Sequence, residues 1–386
     1  MTELLLLPPE LLTRILRNIP GKDLQNVCLS CKQLRDIAYD ESIWKRKCEE
    51  EYKFKSINGW NVTYRELYHK VLHLYGDLVG LWWRDFKYYG GLMQVKYDSG
   101  CIKGVELLAP VSPHVERPLR RKTIFTISLT SSGKIKIISV HSTPCEESPC
   151  SIRVEEDKLK GRILEYKGPK HKEESLDQWM EEELGSEEAM DIYRHCYKRR
   201  GKSYLSSKHH YRWTPLEVPA PRANVPIQPG LFKGTYSAHG IEILSLDYNT
   251  DKTEATATKI TGDPNIPATK ISVKADLTST LVLTASQQET LPALLEASES
   301  NDQQPPPDTQ PFKLPMDCYD RDIQNIPKTC TFRCTALGQI AADRYVNPSF
   351  SKAQFVVFDE NTFGMIWLEL ASFSIYSRVK HEDIND

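Results

Sequence analysis

The hydrophobic period of this chain changes at Gly80, and that change restricts what it can fold into. Before Gly80 apolar residues recur at i, i+3 and i+4, the spacing of a helix with one buried face. Leu11, Leu12, Ile15, Leu16 and Ile19 share such a face behind Pro8–Pro9, and prolines suit a first helical turn, whose N–H donors have no partner. Pro20–Gly21 stops this helix, and Asp23 is placed to cap the next. Leu24, Val27, Cys28, Cys31, Leu34 and Ile37 line a middle helix. Asp40 or Ser42 starts another, with Ile43, Trp44 and Cys48 inward. Val62, Leu67, Val71, Leu72 and Leu74 continue the helical spacing toward residue 79. So small a bundle buries too little apolar surface to complete its own core. It is expected to close against something else.

After Gly80 the chain turns to aromatics and β-branched residues broken by glycines, the texture of short strands. Residues 123–130 and 134–140 alternate about Ser132–Gly133 as a hairpin, and a further strand covers 151–155. A charged, partly helical insertion is expected over 157–200, with Leu176, Trp179 and Met180 among glutamates on a surface helix pair. A proline-rich connector, 215–229, precedes PGLFKGTYSAHGIEILSLDY, where Phe232, Tyr236, Ile241, Ile243 and Leu246 face a core. Residues 285–311 lose periodicity and read as a disordered loop. Order resumes at 329–346 and in a hairpin about Asp359–Asn361. The expected fold class is α+β. An all-α bundle (1–52) and a helical bridge (53–79) lead into one β-barrel-like domain (80–380), because closure removes exposed strand edges.

Composition excludes several functions. Fifty Lys plus Arg against 52 Asp plus Glu give no global charge suited to nucleic acid or a membrane surface. No 18-residue apolar run is present, and the opening leucines are too few for a signal peptide. Ten irregularly spaced cysteines read as reduced thiols of the cytosol or nucleus. Cys28 and Cys31 have a metal- or redox-type spacing, but they fall in an apolar helix stripe without a second pair and read as core. There is no P-loop, GxGxxG, GxSxG or HExxH, and no Cys–His nucleophile context. A binding protein, not an enzyme, is expected.

The segment LPPELLTRILRNIP, with the Leu24–Leu34 run and Ile43–Trp44, resembles the F-box. That resemblance implies docking to a Skp-type adaptor that joins a cullin scaffold and a RING subunit in an SCF ubiquitin ligase. Leu7, Pro8, Leu11, Leu12, Ile15, Leu16 and Trp44 would be the adaptor-binding residues. The blocks GLWWRDFKYYGGLMQV, IQPGLFKGTYSAHGIEIL, TKITGDPNIPA and FGMIWLELASFSIYSRV look like those of the F-box only protein 31 family, in the same order. This resemblance implies a β-barrel substrate receptor. Its cargo would be cyclin D-type and other cell-cycle or DNA-damage proteins, recognised by C-terminal segments and destined for ubiquitination and proteasomal degradation.

Two glycine-rich blocks are the expected cargo site, because glycines let a peptide approach the backbone beside polar donors. Lys233, Thr235, His239, Lys259, Thr261 and Asn265 would hold a terminal carboxylate or carboxamide, with Tyr236 or Trp367 packing the last side chain. The same glycines also suit strands that merely turn.

His141, Cys145, Cys150 and His171 offer the donor atoms of a structural zinc site. The resemblance implies a Cys/His site in this region, but the third expected ligand is replaced near Ile163. Unliganded surface residues are the other reading. Beyond the ligase receptor, a non-ligase scaffold or a lipocalin-like carrier fits a β-barrel, the carrier's interior lined by Trp82, Trp83, Phe232 and Trp367. Hydrolysis through His209, His210 or His239 lacks a nucleophile partner.

Overall fold

The computed structural model describes residues 4–385 except 113, 141–146, 158–160, 169–175, 178, 181–190, 208–209, 300–306 and 319–325. The chain divides into two compact units, the first formed by residues 1–82, 93–106 and 122–169, the second by 83–92, 107–121 and 170–386.

The first unit opens with helices α1 (Pro9–Leu16), α2 (Gly21–Ser30), α3 (Lys32–Ala38) and α4 (Glu41–Tyr52). The single middle helix expected from spacing is two, because Cys31 takes an extended backbone (φ −159°, ψ 163°) between them. Asp40 caps α4 by accepting from Ser42 N at 2.8 Å. Leu12, Leu16, Leu24, Ile43, Trp44 and Cys48 form the core, and Trp44 Nε1 donates to Ala38 O at 2.7 Å. The bridge is α5 (Tyr64–Leu67), a π turn (Tyr68–Leu72) and α6 (His73–Tyr75). Glu51 fastens it to the bundle: its carboxylate accepts from Tyr68 Oη at 2.5 Å and from Gly21 N at 2.9 Å. A Cβ on Gly21 would lie 2.3 Å from the Tyr68 ring, so this contact requires glycine.

Strands β1 (Gly80–Arg84), β2 (Leu92–Asp98), β3 (Cys101–Leu108), β4 (Arg120–Leu129), β5 (Ile135–Val140) and β6 (Glu147–Pro149) follow one another in an open sheet. β7 (Ser151–Asp157) and β8 (Gly161–Lys167) pair antiparallel. Within this unit Tyr97 Oη donates to Tyr52 O at 3.0 Å, and Phe54 meets Tyr97 edge-on, joining helices to sheet.

The second unit contains α7 (Asp191–Ser207), β9 (His210–Pro215) and a closed eight-stranded barrel. Its remaining strands are β10 (Gly230–Thr235), β11 (Ile241–Tyr248), β12 (Glu254–Lys259), β13 (Ile271–Thr280), the short pair β14 (Gln310–Pro311) and β15 (Thr329–Cys330), then β16 (Phe332–Ala342), β17 (Val346–Val357), β18 (Thr362–Trp367) and β19 (Ser372–Arg378). The barrel runs β10-β11-β12-β13-β16-β17-β18-β19 and closes where Phe232 pairs with Arg378 and Gly234 with Tyr376. Phe232, Phe355, Phe363, Met365 and Tyr376 fill it against Ala255, Ala257, Ala275, Ala336 and Ala353, large side chains facing small ones. A Cβ at Gly234 or Gly338 would fall 2.0 Å from the rings of Tyr376 and Trp367 respectively.

Three expectations change here. The barrel spans 230–378 and not 80–380: the strands before the proline-rich connector form the open sheet, and alternation alone does not tell one sheet from another. The expected 157–200 helical insertion begins with the β7–β8 hairpin, and its helix α7 extends to Ser207. Trp179 and Met180 are buried against Tyr197 rather than lying on a surface pair.

The expected 285–311 disordered loop contains α8 (Leu291–Glu299), whose Leu291, Leu294 and Ala297 cover Val356, Phe358, Ile366 and Phe373 on the barrel's outer face. Gln288 anchors it, accepting from Arg333 Nη1 at 2.9 Å and from Lys313 N at 3.0 Å while donating to Pro311 O. Low apolar content between 300 and 311 masked this short packed helix in the sequence. A last helix, α9 (His381–Asn385), is pinned by Asp383, which accepts from Leu119 N, Lys380 N and Lys233 Nζ.

Candidate functional site

One end of the barrel opens into a cavity of about 570 Å³. Tyr236 and His239 come from the turn after β10, which Ser237 (φ 48°) and Gly240 (φ 79°) make possible with left-handed backbone. Lys259 ends β12, and the loop after it supplies Asp263, Asn265 and Ile266. β16 adds Gln339, Ile340 and Ala341, while Trp367, Leu370 and Phe373 close the far wall.

The loop after Lys259 holds its shape through its own polar groups. Asp263 Oδ1 accepts from the N–H of Asn265 (2.6 Å) and Ile266 (3.0 Å), the bonding that Asp-Pro-Asn turns favour. Asn265 Nδ2 donates to Ala341 O at 2.9 Å, and Tyr345 N donates to Pro264 O at 2.8 Å, so the loop is tied to the β16–β17 hairpin. Its back rests on residues 83–90. Trp83 Nε1 donates to Ile260 O, Gly262 N to Tyr89 O and Ala268 N to Tyr88 O. A Cβ on Gly90 would meet Ile260 O at 2.3 Å. The expected strands are present as β1 to β3, and the turn between β1 and β2 backs the mouth.

Charge is buried at the floor. Lys259 Nζ lies 2.5 Å from Glu242, 2.8 Å from Asp263 and 4.0 Å from the centre of the Tyr236 ring. Burial alone would lower the Lys259 pKa, but the two acids outweigh it and hold the ammonium. Burial pushes the Glu242 carboxyl well above its ordinary value, against the opposing pull of Lys259 and with the Asp263 charge adding to the rise. Burial would also raise Asp263, yet Lys259 and His239 keep it far below the usual carboxylate range. His239 Nε2 stands 3.8 Å from Asp263, and burial lowers its pKa although Asp263 opposes. Lys259 and Asp263 thus balance each other's charge, while Glu242 is pushed toward its protonated form and His239 toward its neutral one.

Tyr236, His239, Lys259, Asn265 and Trp367 of the expected cargo residues line this cavity together. The other three stand elsewhere. Lys233 is buried with Asp383 and the carbonyl of Arg117, at 3.2 and 2.6 Å. Thr235 Oγ1 accepts from Ile375 N, and Thr261 Oγ1 from Ile243 N, so both serve the barrel wall. Sequence reasoning missed Glu242 and Asp263. A glutamate between Ile241 and Ile243 in an otherwise apolar strand was the available signal.

On the N-terminal bundle, Leu11 and Ile15 are 45% and 40% exposed and Leu6 is 82% exposed, while Pro8 is exposed and Leu7 half-buried. Leu12, Leu16 and Trp44 are core residues with no free surface to offer a partner, because they fill the bundle between its own helices. Cys28 is buried and Cys31 half-buried. Of the expected zinc ligands only Cys150 is among the described residues; it is half-buried, and burial pushes its thiol up to about 12. His141, Cys145 and His171 lie outside them, as does His209. The described residues do not group three or more His, Cys, Asp or Glu side chains as a metal site. For a carrier, Trp82 and Trp83 belong to β1 and not to a barrel strand, and Phe232 and Trp367 sit in a packed interior.

Comparison with known proteins accounts for both halves. Residues 4–50 match the F-box-like family, and residues 213–383 match the Cyclin D1 binding domain. A four-helix F-box bundle followed by such a barrel defines an F-box substrate receptor. F-box only protein 31 of Mus musculus is 31% identical over 98% of this chain and 85% of its own length; that of Homo sapiens is 30% identical over 98% and 83%. F-box only protein 31-B of Xenopus laevis is 29% identical over 98% and 83%. The chain belongs to the F-box only protein 31 family.

Proposed function

We propose that this receptor docks a Skp-type adaptor through Leu6, Leu11 and Ile15, joins a cullin and RING subunit in an SCF ligase, and presents cargo held by its C-terminal segment in the barrel mouth. Catalysis belongs to the partners, and the cargo is marked for proteasomal degradation. The observation that carries this reading is the mouth itself. It has a fixed polar floor at Lys259 and Asp263, backed by Glu242, and an apolar wall at Ile340, Trp367, Leu370 and Phe373. Such a cavity suits the end of a peptide better than its middle: the polar floor and the half-buried Asn265 amide face a terminal carboxylate or carboxamide, and the wall packs the last side chain. The match of residues 213–383 to the Cyclin D1 binding domain supports D-type cyclins as one cargo class.

The test is binding of C-terminal peptides to the full chain by fluorescence anisotropy. Each peptide is compared with a version extended by two glycines beyond its terminus. Native-terminus peptides should bind, extended ones should not, and Ile340→Glu should abolish binding with melting unchanged. Equal binding of both peptide forms would place the cargo site outside the mouth.

A further inference from the structure

Beside the mouth lies a second, smaller space of about 40 Å³, lined by Tyr89, Arg199, Arg200, His239 and Asp263. His239 and Asp263 line the mouth as well, so the two spaces share a wall. We propose that Arg199 and Arg200 of α7 receive an anionic side chain of the cargo, a few residues before the terminus seated in the mouth. This rests on the reading of the mouth given above and adds a second requirement to it.

The neighbouring charges favour an anion in this space. Arg199 Nη2 lies 2.8 Å from Asp343 Oδ1 and its side chain is still 41% exposed. Asp343 sits at the turn of the β16–β17 hairpin, whose Ile340 and Ala341 wall the mouth, so the guanidinium is anchored at the mouth's edge. Arg200 is half-buried and has no carboxylate partner among the described residues. Among the described residues the neighbouring acids are engaged elsewhere: Asp263 and Glu242 both contact Lys259, and Asp343 already faces Arg199. A guanidinium fork matches a carboxylate or a phosphate oxygen pair. An extended cargo advances roughly 3.3 Å per residue, so side chains close to the terminus reach past His239.

The experiment uses the full chain and a peptide series with one common terminus. Each of the four positions before the terminal residue carries in turn Gln, Glu, Ser or phosphoserine, and Kd is read by anisotropy at low and high salt. Glu or phosphoserine should tighten binding about tenfold over its neutral counterpart at one or two positions, and the gain should shrink with salt. The two acidic arms distinguish a carboxylate from a phosphate as the natural anion. In Arg200→Gln the gain should vanish while the Gln peptide binds as before. Neutral and acidic peptides that bind the wild type equally would overturn the inference and leave the mouth reading intact. A gain of equal size at every position, surviving Arg200→Gln, would overturn it too, since that is long-range attraction without a site. If no peptide of the series binds, the mouth reading itself falls.

Discussion

Replacing Lys259 with methionine tests the floor of the mouth most directly. The ammonium is fully buried and contacts Asp263 at 2.8 Å, Glu242 at 2.5 Å and the Tyr236 ring. Methionine keeps most of the volume and removes the charge. Asp263 then retains the N–H groups of Asn265 and Ile266 and the His239 ring at 3.8 Å, and its carboxylate loses the buried ammonium. Breaking a buried pair from one side costs about 3–5 kcal/mol. The two amide bonds keep the loss toward the lower figure. For a domain of this size that amounts to a melting decrease of roughly 6–15 °C. Asp263→Asn in the same background removes the orphaned charge and should restore about 2 kcal/mol or more. The assay is thermal unfolding at pH 7 followed by tryptophan fluorescence, run as a double-mutant cycle with both single changes. A double variant whose loss equals the sum of the single losses would show that Lys259 and Asp263 are not coupled, and the balanced-charge account of the mouth would fail.

The other predictions concern separate parts of the molecule. Because Glu242 has a raised pKa, its stabilising contribution is whole below the ordinary glutamate value and drains away as pH rises toward the folded one. Wild type should therefore lose stability relative to Glu242→Gln as pH rises above the ordinary glutamate value, read as urea midpoints; parallel profiles would show that folding does not raise its pKa. Leu11→Asp with Ile15→Asp should abolish adaptor co-purification at unchanged melting, whereas Leu12→Ala should cost about 2–5 kcal/mol of bundle stability; adaptor binding retained by the first variant refutes the exposed-face assignment. Gly338→Ala pushes a methyl into Trp367 at the mouth, with about 1–3 kcal/mol lost and weaker peptide binding, and unchanged values for both would contradict the packing described. Gln288→Leu removes the acceptor of Arg333 Nη1, leaving a guanidinium that burial already lowers to about 10 with Gln354 as its remaining side-chain partner. A loss of about 1–3 kcal/mol is expected in denaturant unfolding, and none at all would show that α8 does not pack on the barrel.

How far the sequence revealed this molecule varied with the range of the interactions. The bundle was plain because its apolar residues report to one another within a few helical turns, and Asp40 sits where its cap is needed. The strands of the barrel were plain for the same reason, but their partners were not. Gly230–Thr235 and Ser372–Arg378 pair across more than a hundred residues, and nothing in local alternation marks one strand as closing another. The mouth was half legible. Tyr236, His239, Lys259, Asn265 and Trp367 stood out as polar or aromatic residues in glycine-rich blocks, yet Lys233 and Thr261 carried the same signal and serve the scaffold. What separates them is which face of a strand looks into the cavity and what waits there, a matter of tertiary packing. Glu242 shows the converse, since its role depends on a lysine seventeen positions away in sequence.

Closure of the barrel by its last strand bears on how the protein is made. The contacts among α1 to α4 lie within the first fifty or so residues and those to the bridge within the first seventy-five, so the bundle can form early on a chain emerging from the ribosome. The barrel cannot close until Arg378 is available to pair beside Phe232, and until then its first strand is an open edge. A nascent or truncated chain thus acquires its leucine-rich docking face well before it has anywhere to hold cargo. With the docking proposed above, fragments ending before β19 would occupy adaptor without holding cargo, so completeness of synthesis would decide whether this receptor works or competes with those that do.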